Sequence, residues 1–132
     1  MSGGLNTEDL QVFTGSLMRF RHWPNRTVLY TPGVQYVAEK GEAFWLIDAI
    51  ASHIGSPEFR TAAQKDDRIW HLHFWKLVVA EDRTATLKAV ADSGELPFIE
   101  QAIPYTDFPL DSFDIWAGND SRHWHLYLPS EH

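Results

Sequence analysis

The spacing of apolar positions changes along the chain near Ile69. Before that residue, apolar side chains recur at intervals of three and four in segments marked by a capping residue, a terminal glycine or both, which is typical of amphipathic helices. Beyond it, apolar and polar residues alternate, as they do in strands with one buried face. The pattern predicts an α+β fold in which N-terminal helices pack on a C-terminal antiparallel sheet.

Three helices are expected between residues 31 and 67. The stretch "TPGVQYVAEKG" opens with a capping threonine and a proline and closes with a glycine, which are common start and stop signals. Residues 43–54 are expected to form the central buried helix, because one helical stripe is apolar: Ala43, Leu46, Ile47, Ile50 and Ile54. "SPEFRTAAQKDD" repeats the cap and the proline and predicts a third short helix.

A further short helix is expected near the N-terminus, in "NTEDLQVF". Its threonine is a suitable N-cap, and the two acids that follow are favoured in a first helical turn by the helix dipole. Leu10, Phe13 and Leu17 have the spacing of one apolar face, and Gly15 is expected to end the regular helix.

Four or five strands are expected after Ile69, separated by short turn-like breaks. Their sequences are "IWHLHFWKLVVA", "TATLKAVA", "LPFIEQAIPY", "SFDIWAG" and "RHWHLYLP". Such a run suggests an antiparallel meander of about four strands. We therefore expect a single domain over residues 1–132, with a helical part of about 1–67 and a strand part of about 68–132.

Composition limits the classes of function. The chain has 132 residues and no cysteine, which excludes disulfides, thiolate metal sites and a cysteine nucleophile. The N-terminus is polar and acidic, and the longest apolar stretch is interrupted by Asp48. Neither a signal peptide nor a membrane span is therefore expected, and the protein is expected to be cytoplasmic.

The net charge of −7 comes from the C-terminal part of the chain. Residues 81–132 carry ten acids and three bases, whereas acids and bases balance in residues 1–80. An acidic surface repels phosphate backbones, so direct nucleic-acid binding is not expected. The same surface would suit a protein partner that presents a basic surface.

Two histidine pairs suggest a metal site as an alternative. His71 and His73 lie in one expected strand, and His123 and His125 lie in another. Imidazole is a common ligand of zinc, and residues two apart share a face of a strand. If Trp75 points to the core, the first pair does so too, whereas the second pair points away. The pairs would then lie on opposite faces, so no shared metal and no cofactor is expected.

No catalytic motif is evident in the sequence. The chain lacks a phosphate-binding glycine loop, a nucleophile elbow and the H-E-x-x-H zinc motif. Asp48 and His53 are five residues apart on an expected helix and so do not share a face. Asp48 is instead expected to accept a hydrogen bond from a buried Trp, Tyr or Arg. The sequence favours a non-enzymatic protein and indicates no catalytic residue.

Five stretches carry a resemblance to a known family: "FTGS", "RHWPNRTVLYTPGVQYVAEKGEAFWLIDAI", "FWKLVVAEDRTATL", "IPYTDFPL" and "LYLPSEH". Together they resemble small uncharacterised bacterial proteins, carried on plasmids and phage-like elements, that are grouped as a domain of unknown function. The resemblance implies no catalytic motif and does not include the double histidines. It implies only positions that define shape, which are Tyr30, Gly33, Trp45, Asp48, Trp75, Leu77, Asp107, Pro109, Pro129 and Ser130.

These observations favour a protein-binding module. Aromatic residues make up 14% of the chain and are the residues that dominate protein interfaces. "LDSFDIWAGND" sets an aromatic among acids, so the expected contact residues are Asp111, Asp114, Trp116 and Asp120.

The resemblance implies an accessory factor of mobile elements that inhibits a host defence protein such as a CRISPR or restriction effector. The alternatives are a metal-dependent enzyme that uses the histidine pairs, and a structural protein that self-associates through an open sheet edge. The sequence leaves the oligomeric state open.

Overall fold

The computed structural model describes residues 19–22 and 25–132, which form a seven-stranded mixed sheet with helices on one face. The helices are α1 (Pro32–Lys40), α2 (Phe44–His53), α3 (Pro57–Lys65) and the short α4 (Arg68–His71). The strands are β1 (Phe20–Arg21), β2 (Val28–Tyr30), β3 (Leu72–Val79), β4 (Ala85–Val90), β5 (Ile99–Ile103), β6 (Ser112–Asn119) and β7 (Trp124–Tyr127). A 3₁₀ turn follows at Pro129–Glu131, and the sheet order is β1-β2-β7-β6-β3-β4-β5. Among these helices, none has the length and apolar character needed to cross a membrane.

Local sequence signals explain where the helices begin. Thr31 is the N-cap of α1 and accepts a hydrogen bond from the Val34 amide at 3.3 Å, and Pro32 follows it. Ser56 caps α3 in the same way and accepts from the Phe59 amide at 3.2 Å. Each capping side chain satisfies an amide that the helix leaves unpaired. α1, α2 and α3 therefore lie where the sequence predicts helices.

The sheet differs from the predicted one. The expectation of N-terminal helices on about four antiparallel strands is wrong, because the described sheet has seven strands and is mixed. β1 and β2 precede the helices, and β2 pairs in parallel with β7, with Val28 opposite Trp124. These strands have two and three residues. They lie in "MRFRHWPNRTVLY", whose alternation is compatible with a strand or an extended segment, but nothing in that stretch indicates that it pairs with β7. The α+β content itself is confirmed.

Two further expectations concern the segments that flank the helices. A strand was expected from Ile69, but Arg68–His71 forms α4, and β3 begins at Leu72. The turn is favoured by Asp66, whose side chain accepts a hydrogen bond from the Arg68 amide at 3.1 Å. The predicted N-terminal helix lies outside the described residues.

The helix-covered face of the sheet carries the core. Buried and more exposed residues alternate along β3, and Trp75 and Leu77 are buried together with Ile47, Ile50 and Phe59 of the helices. Burial of these large apolar side chains is the main favourable contribution to folding. The intervening residues of the same strands form the opposite face, which we call the open face. No described α-helix covers it.

The C-terminal turn is tied to the start of α1. Glu131 accepts two hydrogen bonds at Oε1, from the Thr31 hydroxyl at 2.6 Å and from the Leu128 amide at 2.9 Å. Gly33 lies beneath this contact, where a Cβ atom would come within 2.8 Å of Leu128 Cδ1 and 2.9 Å of Glu131 Cδ. The close approach therefore needs glycine at this position.

A second link joins the β3–β4 turn to the loop before β6. Arg83 adopts φ 68° in that turn. Its Nε donates to the Thr106 carbonyl at 3.0 Å, and its Nη2 donates to the Phe108 carbonyl at 2.5 Å. Two of the stretches that carry the family resemblance thus meet in space, as the "YTPGV" and "LYLPSEH" segments do at Glu131. In both contacts, the stretches that carry the family resemblance hold separate segments of the fold together.

Candidate functional site

The two histidine pairs are separated by the sheet. His73 pairs with Ala117 and His125 pairs with Gly118. Because these partners are consecutive residues of β6, His73 points to the helices and His125 points to the open face. His71 lies in α4 and is exposed, with Nε2 3.3 Å from an Asp67 carboxylate oxygen. In residues 19–22 and 25–132 no group of three possible metal ligands comes together. The absence of a shared metal remains a prediction.

His73 occupies an aromatic cage under the helices. Its ring centroid lies 5.0 Å from Trp124, 5.4 Å from Phe59 and 5.6–5.7 Å from the rings of Phe98 and Trp75. Nδ1 donates to the Ile69 carbonyl at 3.1 Å, while Nε2 finds no hydrogen-bond partner among the described residues. Burial lowers the pKa of His73 to about 4, although the backbone hydrogen bond opposes this. The residue is therefore neutral at pH 7.

His125 and Asp120 stabilise the β6–β7 turn. The Arg19 Nε donates to His125 Nδ1 at 3.1 Å, so the other ring nitrogen, Nε2, carries the proton and donates to Asp120 Oδ2 at 2.8 Å. Asp120 Oδ1 accepts from the backbone amides of Arg122 and His123. The hydrogen bond from His125, and then these amides, hold the pKa of Asp120 well below its usual range. Asp120 is thus engaged within the chain.

His22 and Asp48 form a pair that resembles a catalytic dyad. His22 Nδ1 accepts from the Asn25 amide at 3.0 Å, so Nε2 donates to Asp48 Oδ1 at 2.8 Å. Both ring nitrogens are occupied, and no lone pair remains to take a proton from a substrate. Ser52, which lines the same depression, donates its hydroxyl proton to the Ala49 carbonyl at 2.7 Å. The pair therefore links the segment before β2 to α2 and has no catalytic geometry.

The sequence argument missed His22 as the partner of Asp48. A buried Trp, Tyr or Arg was expected there, and the structure places a histidine with 6% exposure. The two residues are 26 positions apart in different elements, so no local period connects them.

An aromatic row crosses the open face. Cross-strand register places four residues of β7, β6, β3 and β4 side by side: Tyr127, Trp116, Phe74 and Val90. Phe74 and Trp116 meet edge to face at 5.1 Å, and Trp116 lies 6.2 Å from Tyr127. His132 contacts the end of the row, 5.0 Å from Trp116. Such pairs contribute beyond their buried area.

A charged row runs beside the aromatic row. Its members, in the order β6, β3, β4 and β5, are Asp114, Lys76, Lys88 and Glu100. Lys76 Nζ lies 3.3 Å from Asp114 Oδ1, while the two lysines are directly opposite each other. A depression of about 740 Å³ lies along the two rows. The open face therefore combines half-buried rings with a rim of charge.

The structure brings together only part of the expected contact set. Asp114 and Trp116 are neighbours on the open face, and Asp111 is exposed just before β6. Asp120 lies beyond the other end of this eight-residue strand, which is about 26 Å long at about 3.3 Å per residue. The four residues therefore do not form one patch. Their contact with a partner remains a prediction.

These features define an α+β protein whose mixed sheet has one helix-covered face and one open face. The chain belongs to DUF6876, a family of unknown function whose model matches residues 5–132. No curated protein and no solved structure matches the chain. The expectation of an uncharacterised family is confirmed, and any function has to be argued from the geometry.

Proposed function

We propose that this protein is a non-enzymatic protein-binding module and that the open face, centred on Trp116, is its contact surface. The observation that supports the proposal is the aromatic row, which no described α-helix covers. Rings of Trp and Tyr supply large contact areas at a small cost in side-chain entropy, which is why they dominate interface hot spots. Strands hold these rings in fixed positions, so little ordering is needed on binding.

The proposed partner presents apolar side chains surrounded by basic ones. Asp114 lies in the charged row next to the aromatic row, and Asp111 lies five residues before Trp116, just before β6. The whole net charge of −7 lies after residue 80. Opposite charges on two proteins speed their encounter. Lys76 neutralises part of the charge of Asp114 at 3.3 Å, so the rings are expected to supply most of the affinity. Direct nucleic-acid binding is not part of the proposal, and the proposed location is the cytoplasm.

The class of partner is proposed from the family resemblance alone. Association with mobile elements would make a host defence protein, such as a CRISPR or restriction effector, the first class to test. No contact in the structure selects that class over another.

Association kinetics test the proposal. With a partner captured from a host lysate and purified, Asp111→Lys with Asp114→Lys should slow association steeply at low salt and much less at high salt, because exposed charges are screened beyond about 10 Å at 0.1 M. Glu58→Lys with Asp67→Lys is the matched control, since it changes the net charge equally at exposed positions in and just after α3. The open face would be rejected as the contact surface if both variants slow association equally. It would also be rejected if the Asp111→Lys, Asp114→Lys protein is folded and associates as fast as the wild type.

A further inference from the structure

We infer that the protein forms a two-fold symmetric dimer in which β5 of one copy pairs antiparallel with β5 of a second copy, with Gln101 at the axis. The two seven-stranded sheets then join into one sheet, and both open faces lie on the same side of it. The inference goes beyond the proposed function and does not depend on it, because it concerns contacts between copies of this chain.

The strand β5 forms an edge of the sheet. Among the described strands it pairs only with β4. An edge strand presents a row of unpaired N–H and C=O groups to which another strand can be added, and short strands or several charges usually protect such an edge. β5 has five residues, of which only Glu100 is charged, whereas β1 at the other edge has two residues. The β5 edge is therefore the better template for a further strand.

Two exposed apolar side chains flank this edge, and they are the most exposed large hydrophobic residues of the described part of the chain. Leu96, three residues before β5, is 90% exposed, and Tyr105, two residues after β5, is 68% exposed. In an antiparallel pair, the end of one strand lies beside the start of the other. The dimer therefore brings Tyr105 of each copy toward Leu96 of the other and covers both side chains.

A depression beside the start of β5 offers a place for the tyrosine ring. It measures about 570 Å³ and lies between α3 and β5, with apolar walls from Pro57, Ile69, Leu96 and Phe98. We expect Tyr105 of the second copy to fill it, because tyrosine has an apolar ring and a polar tip that can stay in water.

The sequence of β5 selects one register for the pair. A two-fold axis perpendicular to the sheet keeps every residue on its own face, so one residue of β5 lies opposite its own copy. With Gln101 at the axis, all five residues of the strand are paired. Any other residue at the axis pairs three residues of the strand or fewer. With Glu100 at the axis, two carboxylates would also lie directly opposite each other, which is destabilising.

The cross-strand pairs of this register are compatible on both faces. On the helix-covered face, Ile99 of one copy lies opposite Ile103 of the other. On the open face, Glu100 lies opposite Ala102, so no like charges are directly opposed. Each Glu100 also keeps Lys88 as its neighbour in β4, which offsets the diagonal repulsion between the two glutamates.

Charge substitutions at Ala102 test the inference, because Ala102 is exposed and would lie opposite Glu100 of the second copy. Ala102→Lys should tighten the dimer and Ala102→Glu should weaken it. We expect each change to be about 2- to 30-fold in the dimer Kd from sedimentation equilibrium, since each substitution alters two symmetric cross-strand pairs.

Ser112→Lys and Ser112→Glu are the matched controls. Ser112 is exposed and lies in the same cross-strand row as Ala102, three strands away on β6. These controls change the net charge equally and should leave the dimer Kd close to that of the wild type. Wild-type protein that stays monomeric up to about 1 mM would overturn the inference. A dimer whose Kd responds alike to substitutions at both positions would overturn it too.

A single engineered cysteine tests the register. The chain has no cysteine of its own, and residues directly opposite in an antiparallel pair have Cα atoms about 4.5–5.5 Å apart, within reach of a disulfide. Gln101→Cys should therefore form a covalent dimer in a glutathione redox buffer, and Ala102→Cys should form much less. The reverse order would reject the axis at Gln101. Neither experiment uses a partner, so a negative result here leaves the proposed function to its own test.

Discussion

His73 takes its protonation state from its surroundings at the scale of a single residue. The sequence placed His71 and His73 on the core side only if Trp75 points to the core, and this holds for His73 but not for His71, which lies in α4. The sequence could not show the four rings that surround the His73 imidazole, since Phe59, Phe98 and Trp124 come from distant segments. A proton on Nε2 would place an unpaired charge among these rings. Protonation of His73 in acid is therefore expected to destabilise the folded protein.

The stability of the protein is expected to fall in acid because of His73. Its pKa is about 4 when folded and about 6.5 when unfolded. Between these values the unfolded chain binds a proton that the folded chain does not, so the free energy of unfolding decreases as pH falls through that window. From pH 7 to 4.5 the loss due to this residue is about 2 kcal/mol.

His73→Leu provides the comparison. The variant should lose about 2 kcal/mol less than the wild type between pH 7 and 4.5 in urea unfolding, because leucine has no proton to gain. An equal loss of stability in the two proteins between pH 7 and 4.5 would show that protonation of His73 does not destabilise the fold.

At the scale of secondary structure, local signals predicted the helices, and long-range pairing decided the sheet. Caps at Thr31 and Ser56 mark α1 and α3 in the sequence. By contrast, β2 has three residues and pairs with β7 almost 100 positions later, and no period in the sequence indicates such a partner. The close contact between Glu131 and Gly33 at the start of α1 could not be predicted from the sequence either, because it joins distant parts of the chain.

Gly33→Ala should destabilise the protein by roughly 1–3 kcal/mol through overpacking. The new Cβ would lie 2.8 Å from Leu128 Cδ1 and 2.9 Å from Glu131 Cδ, and hydrogen bonds to Thr31 and the Leu128 amide restrain Glu131. Urea unfolding at neutral pH measures the effect.

Gly118→Ala is the matched control for this substitution. Its Cβ would meet Tyr127 Cε1 at 3.5 Å, an ordinary contact, so little loss of stability is expected. If Gly33→Ala is no more destabilising than Gly118→Ala, the C-terminal turn is free to move away from α1.

At the scale of the whole molecule, the sheet separates a core face from an open face. The sequence could predict that Asp114 and Trp116 share a face, because they are two residues apart. It could not predict that Phe74 and Tyr127 lie beside Trp116, since that requires the register of three strands. It also could not show that Asp120 is engaged by His125 and so is separated from the expected contact set.

The affinity of a purified partner for Trp116→Ala is the most direct test of the open face as the contact surface. Trp70→Ala is the matched control, since Trp70 is 45% exposed and packs against Trp124 on the helix-covered side. Isothermal titration should show a loss of about 2 kcal/mol, or roughly 30-fold in Kd, for Trp116→Ala. The control should bind like the wild type. Unchanged affinity of a folded Trp116→Ala protein, or an equal loss in the control, would contradict the account.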